Sequence, residues 1–379
     1  MNVSATRVGA RIQLLVDADE FVPQLELDLQ RAERRVWLQT LSLEADAAGL
    51  PLADALLACK ATDRRLLVDA FSRHILSDRF IYAPNNAFRR SVREEVAGTR
   101  ALLARLKSGG VGVGITNPAG LLWHRLPARD HRKLIVIDEN IAYIGGINFS
   151  EHNFAWHDVM LRIENAAVTD CLATDFAATW TGKPEHSVGS FEGMELHNLS
   201  GQGNEPRCEP ILAAIRGARH SILAITPYLT FPFTDAMAEA RARGAAVAIL
   251  TPALNNRRSL RRYVLWLAAQ HGFAVRHYLG RMSHLKAMLI DDEKLIVGST
   301  NFDWPTYHTL AETIAIITDE QLIADFRKRV IEPDLELSVP AYQEAAGFMG
   351  WFSGLEHRVW AAAARTIGRP RTGKRLRRL

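Results

Sequence analysis

Three cysteines in 379 residues, Cys59, Cys171 and Cys208, are too few and too scattered for a disulfide framework, and no C-x-x-C pair suggests zinc or redox work. They read as free thiols. Long apolar runs are also missing, since no stretch reaches the roughly 18 uninterrupted residues that a membrane-spanning helix requires. The opening MNVSATRVGARIQLLVDADE lacks the apolar core of a secretory signal, so the expected location is cytoplasmic. Acid is missing from the C-terminal end. The last fifteen residues, RTIGRPRTGKRLRRL, hold seven Lys/Arg and no Asp or Glu, and taking those seven from the net charge of +4 leaves −3 for the body. The basic character is an appendage.

A hydrophobic fraction of 48% with 23% charged residues is that of an ordinary folded chain, and the length exceeds what one core of roughly 250 to 300 residues supports. Two units are therefore expected, and internal repetition says where. From His131 the spacing is H-x-K-x-x-x-x-D, with Lys133 and Asp138, followed after six residues by Gly145-Gly146-Ile147-Asn148. From His284 the plan recurs with Lys286, Asp291 and Gly298-Ser299-Thr300-Asn301. Upstream, LDLQRAERRVWLQTLSL parallels PILAAIRGARHSILAITPYL as an amphipathic helix running into an apolar strand. The offset between these upstream segments is 186 residues against 153 between the histidines, so the first copy carries about 33 extra residues. We place them between LLVDAFSRHI and GVGVGITNP, as a loop and an additional helix. KPEHSVGSFEGMELHNLSGQGNEP, polar and glycine-rich, reads as the linker.

Helical stretches alternate with short apolar strands, which predicts α/β lobes. KLIVID with IAYIGG, and KAMLID with KLIVGS, read as pairs of adjacent buried strands. The expected division is an N-terminal lobe over 1–187, a C-terminal lobe over 188–333 and an amphipathic segment with the basic tail over 334–379. On an extended strand His131 and Lys133 project to one face, as do His284 and Lys286. Asp138 and Asp291, at an odd offset and at an acidic turn, are expected to support the fold, as are Gly145, Gly146, Gly298 and Ser299. Each histidine needs a partner to fix its tautomer. Asp158 follows His131 by 27 residues and Glu312 follows His284 by 28, so each acid is expected to orient the histidine of its own copy.

Two His–Lys pairs suit transfer at a phosphodiester. One neutral imidazole attacks phosphorus, the other protonates the departing alkoxide, and the roles then reverse for the acceptor. Lys133, Lys286, Asn148 and Asn301 can stabilise the non-bridging oxygens without a metal or other cofactor. Metal binding fits poorly, because each histidine has a lysine two residues away on the same face.

The paired segments resemble the two HKD motifs of the phospholipase D superfamily over about residues 8 to 330. Within it, ARDHRKLIVID, GGINFS, WHDVMLRIE and GSTNFDWPTYHTLAE are most similar to bacterial cardiolipin synthases. The resemblance implies a bilobal phospholipase D-like fold: two pseudo-twofold-related α/β/α sandwich lobes with the active site between them. It also implies metal-free catalysis through phosphohistidine, with His131 as nucleophile and His284 as acid. The implied reaction moves a phosphatidyl group from a phospholipid donor to an alcohol acceptor such as phosphatidylglycerol. Hydrolytic phospholipase D and nucleic-acid phosphodiesterase chemistry use the same residues and stay open at this point, with nucleic acid the less favoured partner. Pro305 and Leu310 stand where that branch often has arginine and asparagine, and His157 replaces a common arginine, which leaves the acceptor open.

A lipid substrate calls for a route to the bilayer. YQEAAGFMGWFSGLEHRVWAAAARTIG places Phe348, Met349, Trp351, Phe352, Leu355, Val359 and Trp360 in a partly helical apolar pattern ahead of the basic tail. This is either a peripheral anchor for an anionic phospholipid surface on the inner face of the cell membrane or a helix packed on the second lobe. FRRSVR and NNRRSLRRY are either phosphate-binding clusters or solvated helix faces. Tyr228 lines the cleft or sits in the core.

Overall fold

The computed structural model describes residues 10–118, 127–341, 347–367 and 376–378. Two mixed sheets dominate it. The first runs, edge to edge, through Arg11–Val16, Val159–Glu164, Ile141–Gly145, Leu134–Ile137, Arg35–Thr40, Asp63–Asp69, Gly112–Thr116 and Leu376–Arg378. The second runs through Ser187–Phe191, Met194–Ser200, Ala311–Ile317, Lys294–Gly298, Ala287–Ile290, Ser221–Ile225, Ala246–Pro252, Ala274–Tyr278 and Ser338–Pro340. Leaving aside Ser187–Phe191, the two orders correspond place by place. In each, three strands pair in parallel and the rest antiparallel. The duplication read from the motifs is therefore a duplication of a whole α/β lobe.

Side-chain alternation explains why the motif strands are apolar throughout. Leu134 and Val136 enter a core shared with Ala287 and Leu289 of the other sheet, so the sheets pack on one another through their inner faces. The alternate residues Ile135 and Ile137 face outward onto Phe21, Leu25 and Leu29 of helix Asp17–Arg31. Met288 and Ile290 likewise face Ile211 and Leu267. Helices Ala166–Trp180 and Glu320–Phe326 complete the shared inner core. A strand covered on both faces has no position for a polar side chain.

Two sequence expectations need correction. The segment read as the linker is a β-hairpin, in which Met194–Ser200 pairs with Ala311–Ile317. Its polar composition hid it, although Met194, Leu196 and Leu199 are buried. The extra residues of the first copy are also split. Most lie between Asp69 and Gly112, including helix Arg90–Ser108, and others lie between Thr116 and His131, partly outside the described residues.

Asp138 and Asp291 serve the fold, at equivalent places. Asp138 accepts the backbone N–H groups of Glu33, Arg34 and Arg35, and Asp291 those of Arg219, His220 and Ser221 at 2.7–2.8 Å. Both have positive φ, which aspartate tolerates better than most residues. Each carboxylate thus joins the end of one motif strand to the start of its antiparallel neighbour. Burial pushes the Asp291 carboxyl up, but the three donors outweigh it and hold its pKa below the ordinary value. Because the folded pKa is depressed, the stabilisation is complete above the ordinary aspartate pKa and is lost as pH falls through the folded value. Asp291→Ala is expected to cost about 1–2 kcal/mol in urea unfolding at neutral pH, and less in acid.

The C-terminal helix Gly347–Ile367 packs on helix Arg258–His271, and an added Cβ at Gly354 would stand 3.2 Å from the Tyr263 ring. No described helix is long and apolar enough to cross a membrane. Leu376–Arg378 pair antiparallel with Gly112–Thr116, so this part of the basic tail is strand. Residues 368–375 and the side chains of Phe348 and Met349 lie outside the described residues.

Candidate active site

The lobes meet through their motif segments. His131 N donates to Ala311 O at 2.9 Å and Ala311 N to Arg129 O at 2.9 Å. At the equivalent place His284 N donates to His157 O at 2.7 Å and His157 N to Met282 O at 2.9 Å. Each HKD segment is therefore hydrogen-bonded to the strand entry of the opposite lobe that carries the acid.

That crossing overturns the expected pairing of acids. His131 Nδ1 lies 3.1 Å from Glu312, and His284 Nδ1 lies 2.8 Å from Asp158 Oδ2. Each acid is held by its own lobe and faces the histidine of the other. Asp158 sits against Gly146, where a Cβ would come within 2.2 Å of Oδ1, and it accepts Val159 N–H at 2.9 Å. Glu312 accepts the Ser299 hydroxyl and, at 3.0 Å, the Thr306 hydroxyl. Gly146 and Ser299 are equivalent positions. The shorter acid needs a glycine beside it and the longer one finds a hydroxyl. Gly145 and Gly298 permit the next close approach, since a Cβ at either would stand 2.3 Å from the Val159 or Thr313 carbonyl oxygen.

Both lysines are buried, each at 1% exposure. Lys133 Nζ donates to His131 O at 2.7 Å. Lys286 Nζ lies 2.7 Å from His284 Nδ1, 3.1 Å from Nε2 and 3.4 Å from Asp158 Oδ2. Burial, then the Lys286 charge, brings the Lys133 pKa down to about 7, and burial lowers that of Lys286. Burial also lowers both imidazole pKa values, that of His284 to about 3 with help from Lys286 and against the pull of Asp158. A phosphodiester anion bound in the cleft would raise these pKa values.

His131, His284, Asn148 and Asn301 line one cavity of about 410 Å³. Neither asparagine Oδ1 has a hydrogen-bond partner among the described residues. Tyr228 is also in the wall, with its ring 6.1 Å from His284, and Trp156 lies 5.0 Å from the same ring. Sequence reasoning missed Trp156, Glu44, Asp78, His152 and Asp303 in this wall. Burial lifts Glu44 and Asp303 to about 7. The signal for His152 and Trp156 was present in SEHNFAWH, just ahead of Asp158, whereas Glu44 and Asp78 come from loops with no motif. Pro305 and Leu310 line the cavity too.

His157 is a structural cation. Its ring nitrogens lie 2.7 Å from Asp17 and 3.2 Å from Asp334. Burial would lower its pKa, but the two carboxylates outweigh it and lift the value to about 10. The imidazolium thus carries the charge that arginine would bring. Of the basic clusters, Arg89, Arg90 and Arg93 are solvated, Arg257 lines the cavity, and Arg258, Arg261 and Arg262 lie exposed. Among the described residues no group of three or more His, Cys, Asp or Glu is arranged to hold a metal ion.

Residues 3–180 and 211–332 match the family described as cardiolipin synthase, PLD-like domain. Cardiolipin synthase A of Escherichia fergusonii is 26% identical over 91% of this chain and 75% of its own length. Cardiolipin synthase A of Yersinia pseudotuberculosis is 26% identical over 84% of this chain and 68% of its own length. The fold is shared with a phosphatidylserine synthase of Haemophilus influenzae at a TM-score of 0.66 and 15% identity, covering 94% of this chain and 95% of that one.

Proposed function

Because the chain belongs to the phospholipase D superfamily, in its cardiolipin synthase-like branch, we propose that it is a phosphatidyltransferase that joins a phosphatidyl group to the glycerol head of phosphatidylglycerol. The observation that carries this reading is the pair of imidazoles on one cavity, each with Nδ1 turned to a buried carboxylate and a buried lysine alongside. An imidazole whose Nδ1–H is donated to a carboxylate has Nε2 left for chemistry.

In the proposed reaction His131 Nε2 attacks the donor phosphorus. The bond from phosphorus to the head-group oxygen breaks, and His284, protonated on Nε2 in the presence of the phosphate anion, gives its proton to the leaving alkoxide. Neutral His284 then takes the proton of the acceptor hydroxyl. That oxygen attacks phosphorus, the P–N bond breaks, and His131 is regenerated. With phosphatidylglycerol as both donor and acceptor the products are cardiolipin and glycerol. Lys133, Lys286 and the amides of Asn148 and Asn301 stabilise the phosphoryl oxygens as the transition state forms. Glu44, Asp78 and His152 give the cavity a polar wall suited to hydroxyl groups, while Trp156, Pro305 and Leu310 offer an apolar one. Phospholipid substrates call for work at a membrane surface, which we take to be the inner face of the cell membrane; no described helix is long and apolar enough to cross it.

Mass spectrometry of lipids after incubation with phosphatidylglycerol vesicles tests the reading. Cardiolipin should accumulate, with an equal amount of glycerol released, at a rate unchanged by EDTA. Phosphatidic acid as the sole product would replace transfer by hydrolysis.

A further inference from the structure

Helix Gly347–Ile367 is built inside out. Toward the second lobe it turns small residues, the buried Gly350, Ser353, Gly354 and Ala361. Away from it stand large apolar ones: Trp351, Phe352, Leu355 and Val359 are 48%, 51%, 44% and 60% exposed. At about 100° per residue these form one stripe opposite the buried face. A surface helix of a soluble protein normally does the reverse, and a contiguous exposed apolar patch marks an interaction surface.

Two further observations say what the surface meets. The helix is also a wall of the catalytic cavity, through His357 and through Trp360, which is 60% exposed. The apolar stripe is therefore carried by the same helix that walls the site. Beside it, helix Arg258–His271, on which it packs, exposes Arg258, Arg261 and Arg262, and Arg358 is exposed on the C-terminal helix itself. Large apolar side chains rimmed by arginines complement an anionic bilayer surface, with the former at the headgroup–acyl boundary and the latter among the headgroups.

We propose that the outer face of helix Gly347–Ile367 docks on an anionic phospholipid bilayer and thereby sets the mouth of the catalytic cavity against the lipid. A second copy of this chain fits less well. A twofold contact across this face would bring the two arginine rows toward each other.

The test compares the full chain with a Leu355→Ser/Val359→Ser variant, neither residue being in the cavity wall. Co-sedimentation with phosphatidylglycerol-containing vesicles should weaken about tenfold or more in the variant. Activity, which rests on the proposed function, should fall with vesicle substrate and persist with a short-chain phosphatidylglycerol kept below its micellar concentration. That persistence also reports that the variant is folded. Undiminished vesicle binding by the variant would overturn the proposal. So would a full-length protein that ignores vesicles and sediments as a dimer, with the variant a monomer. Loss of binding by a variant whose circular dichroism spectrum matches the full chain's, with no transfer by the full chain on either substrate, would support the docking face and count against the phosphatidyltransferase reading.

Discussion

Replacing His131 or His284 by alanine is expected to lower phosphatidyl transfer by about four orders of magnitude or more, because one removal deletes the nucleophile and the other the proton donor and acceptor. The two losses should differ in kind. A donor with a nitrophenol head group needs no proton to depart, so the His284→Ala chain should still form the covalent intermediate and release nitrophenol in a single burst. The His131→Ala chain should give no burst. The lobe junction at both histidines is also held by backbone hydrogen bonds that alanine keeps, so neither substitution should change the circular dichroism spectrum. Transfer above about 1% of the original rate in either variant would remove that histidine from the chemistry.

The second large effect concerns the crossed acids. Glu312→Gln and Asp158→Asn should each lower kcat by about two to four orders of magnitude, because an amide can hold the wrong imidazole tautomer and cannot stabilise an imidazolium. The crossing itself has a signature that rates cannot supply. In protein labelled with ¹⁵N-histidine, Glu312→Gln should move the ring resonances of His131 and leave those of His284 close to their original positions. Asp158→Asn should do the opposite. Pairing within each copy predicts the reverse assignment. The distances of 3.1 Å and 2.8 Å across the lobe boundary are the basis of the expectation.

The sequence made the two-lobe plan legible because a motif repeated at equal internal spacing survives without any structure. Its continuous apolar strands were legible because burial on both faces leaves no polar alternation. The partner expected for each acid was wrong, since offsets of 27 and 28 residues measure only that the lobes are alike. A pseudo-twofold axis brings the equivalent acid of the other lobe into the same position, and a linear spacing cannot distinguish the two. The hairpin Ser187–Ser200 was missed for a different reason: polar residues and glycines occupy most of it, and its buried apolar residues are few. Glu44 and Asp78 reach the cavity from loops that share no pattern with the motifs. The inverted helix was half legible. Its aromatic residues suggested a surface role, but periodicity alone did not separate the buried glycine–alanine face from the exposed aromatic–aliphatic one.

The central claim is that two lobes form one site and that the phosphatidyl group passes through His131. The most direct measurement is rapid quenching of the enzyme with phosphatidylglycerol vesicles in denaturant at mildly alkaline pH, followed by peptide mass spectrometry. A phosphatidyl group should be found on the His131 peptide, formed before cardiolipin appears and absent from the Glu312→Gln chain at the same time point. Cardiolipin formed with no adduct on either histidine peptide would contradict it.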